Sequence, residues 1–211
     1  MGKKVADQLV ETIYRAGIRH IYAVTGDSLN EVNDAVRRAG TVRWIHMRHE
    51  ESGAFAAAAE AELNGIACCA GSSGPGHVHL INGLYDAHRS NCSVLAIAST
   101  CPSDQFGTGY FQETNPIRLF DDCSGYNQMA VTSAQFARML PAALQHAVHK
   151  REVAVIGLPG DVAAGPCAES PGASGPLPSH SLYRPLDGEL RQLAAMIGSA
   201  ERITIFCGIG A

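Results

Sequence analysis

Apolar and polar positions alternate along this chain between two periods, and the switches between them mark out the elements. Residues 5–16 carry apolar side chains at helical spacing, and Gly17 ends the run. Residues 20–24 (HIYAV) are a short apolar run that predicts a strand, followed by a turn and a helix that Ser28 is placed to cap. A second strand is predicted at 42–47 (VRWIHM). After it Ala54, Ala57, Ala58 and Ala61 fall at i, i+3, i+4 and i+7, a helix stripe small enough for close backbone approach. Residues 66–70 (IACCA) predict a third strand, followed by a glycine turn and a helix to about His88. The fourth strand, 93–99 (SVLAIAS), is apolar at nearly every position, as a strand buried on both faces must be.

Residues 100–115 show no period, and a loop of that length points to function rather than simple connection. A short fifth strand is expected at 127–131. Thr132 and Gln135 then have capping-box spacing, and Pro141 stands where a further helix can begin. Residues 153–159 (VAVIGLP) predict a sixth strand. Strands alternating with helices in this way predict an α/β fold, a doubly wound parallel sheet of about six strands with helices on both faces. Pro, Gly, Ser and Ala then dominate to residue 186, which reads as a linker expected to be the least ordered part of the chain. A helix from 187 to 198 and an apolar run at 202–211 resemble the first helix and strand of a second α/β domain. The expected division is therefore 1–163, 164–186 and 187–211, with the chain a piece of a longer polypeptide.

Composition narrows the function classes. The chain has 211 residues, 46% of them apolar and 17% charged, enough to bury a core. A formal net charge of −4 without runs of like charge gives no reason to expect nucleic acid. No apolar stretch reaches membrane-spanning length, so a cytoplasmic location is expected, with membrane contact only as a peripheral association at the inner membrane through parts outside these residues. The seven cysteines include no C-x-x-C pair and read as reduced, mostly buried thiols.

Ligands of an open α/β sheet bind outside the carboxyl ends of its strands. Taken in order, those ends are TGDS (25–28), RHE (48–50), GSSGPG (71–76) and the loop holding YFQE (110–113), four chemically loaded segments at one edge. GSSGPG lacks the lysine of a P-loop and the spacing of a dinucleotide fingerprint. His77 and His79, two apart in a helix, diverge, and no cysteine or carboxylate is spaced to complete a metal set, so no metal is expected. Glu50 alone reads as a first-turn acid favoured by the helix dipole. Held against a flat ligand in a partly dry cleft, it is also a proton partner.

Together VTGDSLN, RHEESGAFAAAAEAEL, CAGSSGPGHVHLINGLYDAHR, SVLAIAS, GTGYFQET and LPGDVA resemble the thiamine diphosphate enzymes, most closely the bacterial pyruvate oxidases and quinone-linked pyruvate dehydrogenases. The likeness covers residues 5–163, and ELRQLAAMIGSAERITIFCGIGA is similar to the opening of that family's central domain. It implies that the chain holds the aminopyrimidine half of thiamine diphosphate. The diphosphate and its Mg²⁺, together with FAD, would be bound by domains not in this sequence, which carries no Gly-Asp-Gly. It further implies a homodimer or homotetramer acting on pyruvate or another 2-keto acid. By resemblance Glu50 hydrogen-bonds the aminopyrimidine ring nitrogen and so promotes ionisation of the thiazolium carbon. Thr25, Gly26, Pro75, His79 and Gln112 line the cofactor, Phe111 and Gln112 stand on the substrate side, and Asp27 lies nearby as a second catalytic candidate. The implied reaction turns pyruvate into acetate and CO₂, with electrons passing to flavin or quinone. The family's aldehyde-releasing decarboxylases carry His-His where this chain has Phe111-Gln112. Acetolactate synthases share Phe-Gln-Glu, so carboligation is the alternative, and a stand-alone binding or dimerisation module is the non-catalytic one. The isolated chain is expected not to turn over.

Overall fold

A computed structural model describes residues 2–168 and 184–208. The chain divides into two units, Met1–Ser179 and His180–Ala211. In the first, six strands form one sheet: β1 His20–Ala23, β2 Arg43–His46, β3 Ala67–Gly71, β4 Val94–Thr100, β5 Tyr126–Met129 and β6 Val153–Pro159. Their order is β2-β1-β3-β4-β6-β5, every pairing is parallel, and all six predicted strands are present. The central strands β3, β4 and β6 are buried at every position, which explains their unbroken apolar runs.

Alternation along those strands sorts the core into two layers. Cys68, Ala70, Leu95, Ile97 and Ile156 face helices α1 (Val5–Arg15), α2 (Asn30–Ala39) and α7 (Ser133–Lys150), α6 being the short helical turn Pro116–Leu119 before β5. Ala67, Cys69, Val94, Ala96 and Val155 face α3 (Glu50–Asn64) and α5 (Ile81–Arg89). The alanine stripe lets α3 come close: a Cβ on Gly53 would lie 3.2 Å from the Tyr22 carbonyl oxygen, and one on Gly83 of α5 would lie 2.6 Å from the Ala54 Cβ. All seven cysteines are free; five are buried, Cys167 is half-buried and Cys207 exposed.

Five local expectations need correction. Ser28 does not cap α2, whose N-cap is Leu29; its hydroxyl is engaged by the β3 turn instead. The helix after β3 is broken into α4 (Pro75–Val78) and α5, with His79 and Leu80 between them. Pro141 lies inside α7, because Phe136, Leu140, Ala143, Leu144 and Ala147 bury one continuous stripe that outweighs the roughly 3 kcal/mol an internal proline costs. Thr132 does cap that helix, accepting from the Gln135 N–H, while the Gln135 side chain returns to Val131 rather than to Thr132. In the second unit, the predicted helix is present as the helix Asp187–Gly198, but residues 203–208 form no strand. An extended run becomes a strand only by pairing with a neighbour, and none is present among the described residues. The linker expectation for residues 164–186 falls, from 169 to 183, outside the described residues.

Candidate functional site

Strand β1 is the point from which the sheet grows both ways, to β2 on one side and β3 on the other, and loops leaving such a point open a crevice. Two clefts lie there. One, of about 470 Å³, is lined by Thr25, Gly26, Asp27, His49, Glu50, Pro75, Gly76, His79, Phe111 and Gln112 among others. The sequence candidates are thus brought to one place, from four loops. The other cleft, of about 420 Å³, lies beyond a wall shared by Asp27, Ser73, Phe111 and Gln112, and reaches Thr100, Cys101 and Asp161.

Glu50 is the first residue of α3 and is buried, unlike Glu51 beside it. Its Oε2 is 3.1 Å from His79 Nδ1, and the His79 ring stacks on His49 at 4.5 Å between centroids. Glu50 Oε1 lies 3.5 Å from where a Cβ on Gly76 would be. Glycine there keeps the approach to the carboxylate open. His49 also accepts a hydrogen bond from the Glu51 N–H and so caps α3.

His77 and His79 point apart as expected. His77 is fully buried; its Nδ1 is 2.8 Å from the Ser99 carbonyl oxygen and so carries the proton, leaving Nε2 to accept from the Thr114 hydroxyl. Burial pushes its pKa down, although the bond to Ser99 opposes this, and the ring is a neutral cross-brace rather than a reactive group.

Phe111 and Gln112 sit on a loop held by polar clamps. The Glu113 carboxylate accepts from the N–H groups of Gly107, Gly109 and Tyr110, and those bonds, Gly107's foremost, hold its pKa below the usual carboxylate range. Asp161 accepts from both the N–H and the hydroxyl of Ser103. Gln112 takes a left-handed backbone, φ +60°, and its Oε1 accepts from the Ser73 hydroxyl at 3.1 Å. Ser73 N–H in turn donates to Ser28 Oγ, and the Ser99 hydroxyl donates to the Ser28 carbonyl. This serine chain, the Glu113 clamp and the place of His49 were not foreseen. The glycines at 107 and 109 just before an acid were the available signal for the clamp; the serine chain joins residues up to 71 apart and has no local signature.

The donor set fits a flat, neutral nitrogen heterocycle: one buried carboxylate backed by an imidazole, with glycine and proline walls and an exposed phenyl ring at the rim. Such a site, at the switch point of a parallel sheet, defines a binding domain of cofactor-dependent α/β enzymes. Residues 3–119 match the family described as thiamine pyrophosphate enzyme, N-terminal TPP binding domain, and the chain belongs to that family.

Relatives place it further. It is 47% identical over 209 residues to an uncharacterized 42.6 kDa protein in the isoamylase 3′ region of Pseudomonas amyloderamosa, covering 98% of this chain and 53% of that one. It is 34% identical to pyruvate oxidase of Lactiplantibacillus plantarum (96% of this chain, 34% of that one) and 29% identical to chloroplastic acetolactate synthase 3 of Brassica napus (99% and 33%). The chain therefore spans about half the length of the first and about a third of the other two. No helix among the described residues is long and apolar enough to cross a membrane.

Proposed function

We propose that this chain is the pyrimidine-binding part of a thiamine diphosphate enzyme that decarboxylates pyruvate oxidatively, giving acetate and CO₂ with electrons passed to a flavin or quinone. The observation that carries the reading is a buried carboxylate, Glu50, in a cleft whose rim residues Phe111 and Gln112 carry no ionisable side chain. Thiamine diphosphate, when bound, supplies the carbanion and the electron sink for decarboxylation. Glu50 would hold a proton on the aminopyrimidine ring nitrogen, with His79 fixing the carboxylate's rotamer through Oε2. Thr25, Gly26, Pro75 and Gly76 would give the ring its flat walls, and Asp27 stands between the two clefts. Phe111 would exclude water, and Gln112, a neutral amide, cannot ionise to protonate the product side. That disfavours aldehyde release. Mg²⁺, the diphosphate and FAD would be held outside these residues, and a second subunit would complete each site. Pyruvate oxidase at 34% and acetolactate synthase at 29% both cover nearly the whole chain, and the higher figure supports the oxidase reading.

The test is product analysis on the holoenzyme with pyruvate and a quinone or dye. Acetate with acceptor reduction is expected. Mostly acetolactate, without reduction of the acceptor, would assign the carboligase instead. In the same enzyme Glu50→Gln keeps shape but weakens the proton partner, and turnover should fall ~10²–10⁴-fold. Deuterium exchange at the thiazolium carbon at the wild-type rate would remove Glu50 from the role.

A further inference from the structure

Ser73 is buried, at 8% exposure, and among the described residues its hydroxyl has one partner, Gln112 Oε1 at 3.1 Å. Gln112 is exposed and lines both clefts. The serine is itself held from the core. Its N–H donates to Ser28 Oγ at 2.9 Å, Ser28 Oγ lies 3.0 Å from Ser72 Oγ, and the Ser28 carbonyl accepts from the Ser99 hydroxyl at 2.7 Å. Ser99 is on β4, is 1% exposed, and also reaches the Leu158 carbonyl of β6. A run of hydrogen bonds thus leads from β4 and β6 to one exposed amide.

That run decides which half of the amide is free. A hydroxyl buried away from water needs an acceptor for its proton, and Oε1 is the acceptor in reach. Were the amide turned over, Nε2 would face Ser73 and the Ser73 proton would have no partner. Oε1 is therefore tied back, and the NH₂ group is left for a ligand; no group among the described residues takes it. An ionised 2-keto acid offers acceptors only, on its carboxylate and its keto oxygen, so an amide NH₂ matches it and an amide oxygen repels it. Asp27 shares the wall, but when ionised it too has only acceptors and cannot take that place.

We propose that Ser73 is a positioning residue, acting through Gln112 to present its amide NH₂ to the substrate. The identity of that substrate rests on the reaction proposed above; the anchoring of the amide does not. A donor to a carboxylate that later leaves as CO₂ holds the substrate rather than the transition state, so its loss falls on KM.

Two measurements test the role. In the 211-residue chain, nitrogen NMR relaxation reads the Gln112 side-chain amide, identified by its absence in Gln112→Ala. That amide should be rigid in the native chain and mobile in Ser73→Ala. In the holoenzyme, Ser73→Ala should raise the pyruvate KM ~2–10-fold, the worth of one hydrogen bond, with a smaller change in kcat. The same substitution in a Gln112→Ala background should raise KM no further, whereas a merely structural role would persist there. A native amide as mobile as a free glutamine, an amide unaffected by Ser73→Ala, an equal effect on KM in both backgrounds, or a loss confined to kcat would overturn the role. A holoenzyme that leaves pyruvate unconsumed would instead overturn the proposed reaction, and the relaxation data would still decide the anchoring.

Discussion

Gly74 tests whether the outer wall of the cleft is held in place by the β3 turn. Its backbone, φ +64° and ψ −120°, is the pair found at the first central position of a type II′ turn, where glycine is nearly obligatory. A Cβ there would lie 2.8 Å from the Gln112 Cβ and 2.9 Å from its carbonyl oxygen. Gly74→Ala therefore carries about 1–3 kcal/mol of backbone strain and, if nothing moves, about 1–3 kcal/mol of overpacking. Moving Gln112 away relieves the second cost and loses its bond to Ser73, about 0.5–1.5 kcal/mol. The cheaper route is displacement of the loop, because Phe111 is 79% exposed and little is packed outside it. Urea unfolding should show a loss of about 2–4 kcal/mol. Hydrogen exchange should rise across residues 107–114 while β3 and β4 stay protected. Gly107→Ala is the control: it also has positive φ, +81°, but its Cβ meets nothing, so it brings strain without pushing Gln112. Unchanged exchange at 107–114 in Gly74→Ala, or an equal rise in the control, would refute the coupling.

Two further outcomes follow from packing and burial. Gly83→Ala places a Cβ 2.6 Å from that of Ala54 and 2.8 Å from the Phe55 nitrogen, forcing α3 and α5 apart; about 1–2 kcal/mol net of the gain in helix propensity should lower Tm by roughly 3–6 °C, and an unchanged or raised Tm would refute the close crossing. Burial pushes the Cys69 thiol up to about 12 and those of Cys92 and Cys123 to about 11, so the fold favours neutral thiols. That stability is fully present below the unfolded value near 9 and is lost as pH rises through the folded values, at about 1.4 kcal/mol per thiol per pH unit. Urea midpoints measured from pH 8 to 10.5 should fall, and Cys69→Ala should flatten the fall; an equal slope in the variant would remove Cys69 from it.

The six strands were legible because burial on both faces leaves only apolar positions in β3, β4 and β6, while β1 and β2 are bounded by turn residues. The helix carrying Glu50 was legible for a related reason, since its regularly spaced alanines mark the small inner face on which Gly53 approaches the Tyr22 carbonyl. Pro141 misled because a local cost was read without the buried stripe on either side of it. Ser28 misled because a hydroxyl before a helix has a local partner available, and here a distant one, Ser73, took it. Residues 203–208 misled because extended propensity becomes structure only beside a neighbouring strand. The four segments of the cleft could be placed at one sheet edge from topology. The contacts that orient them, between His79 and Glu50 or Ser73 and Gln112, could not, because side-chain bonds across tens of residues leave no period in a sequence.

The two walls of the cleft are therefore built by different physics. Glu50 rides on α3, whose inner face is Gly53, Ala54, Ala57, Ala58 and Ala61 against the sheet and α5, so its position is tied to the core and resists local change. The opposite wall has no such apolar anchor: Phe111 and Tyr110 face solvent, and the loop depends on Glu113, Asp161 and Ser73 for its shape. Glu113 keeps its clamp at neutral pH, because the bonds it accepts favour the carboxylate, and releases it only as the pH falls through its lowered pKa. A fold so divided can hold the buried Glu50 carboxylate constant while the loop on the other side of the cleft is altered at little cost to the core. That agrees with one chain matching both a pyruvate oxidase and an acetolactate synthase over nearly its full length. If the proposed reaction holds, substitutions that redirect it are accordingly expected within residues 101–114 rather than in α3, where a change of packing would be felt by the whole sheet.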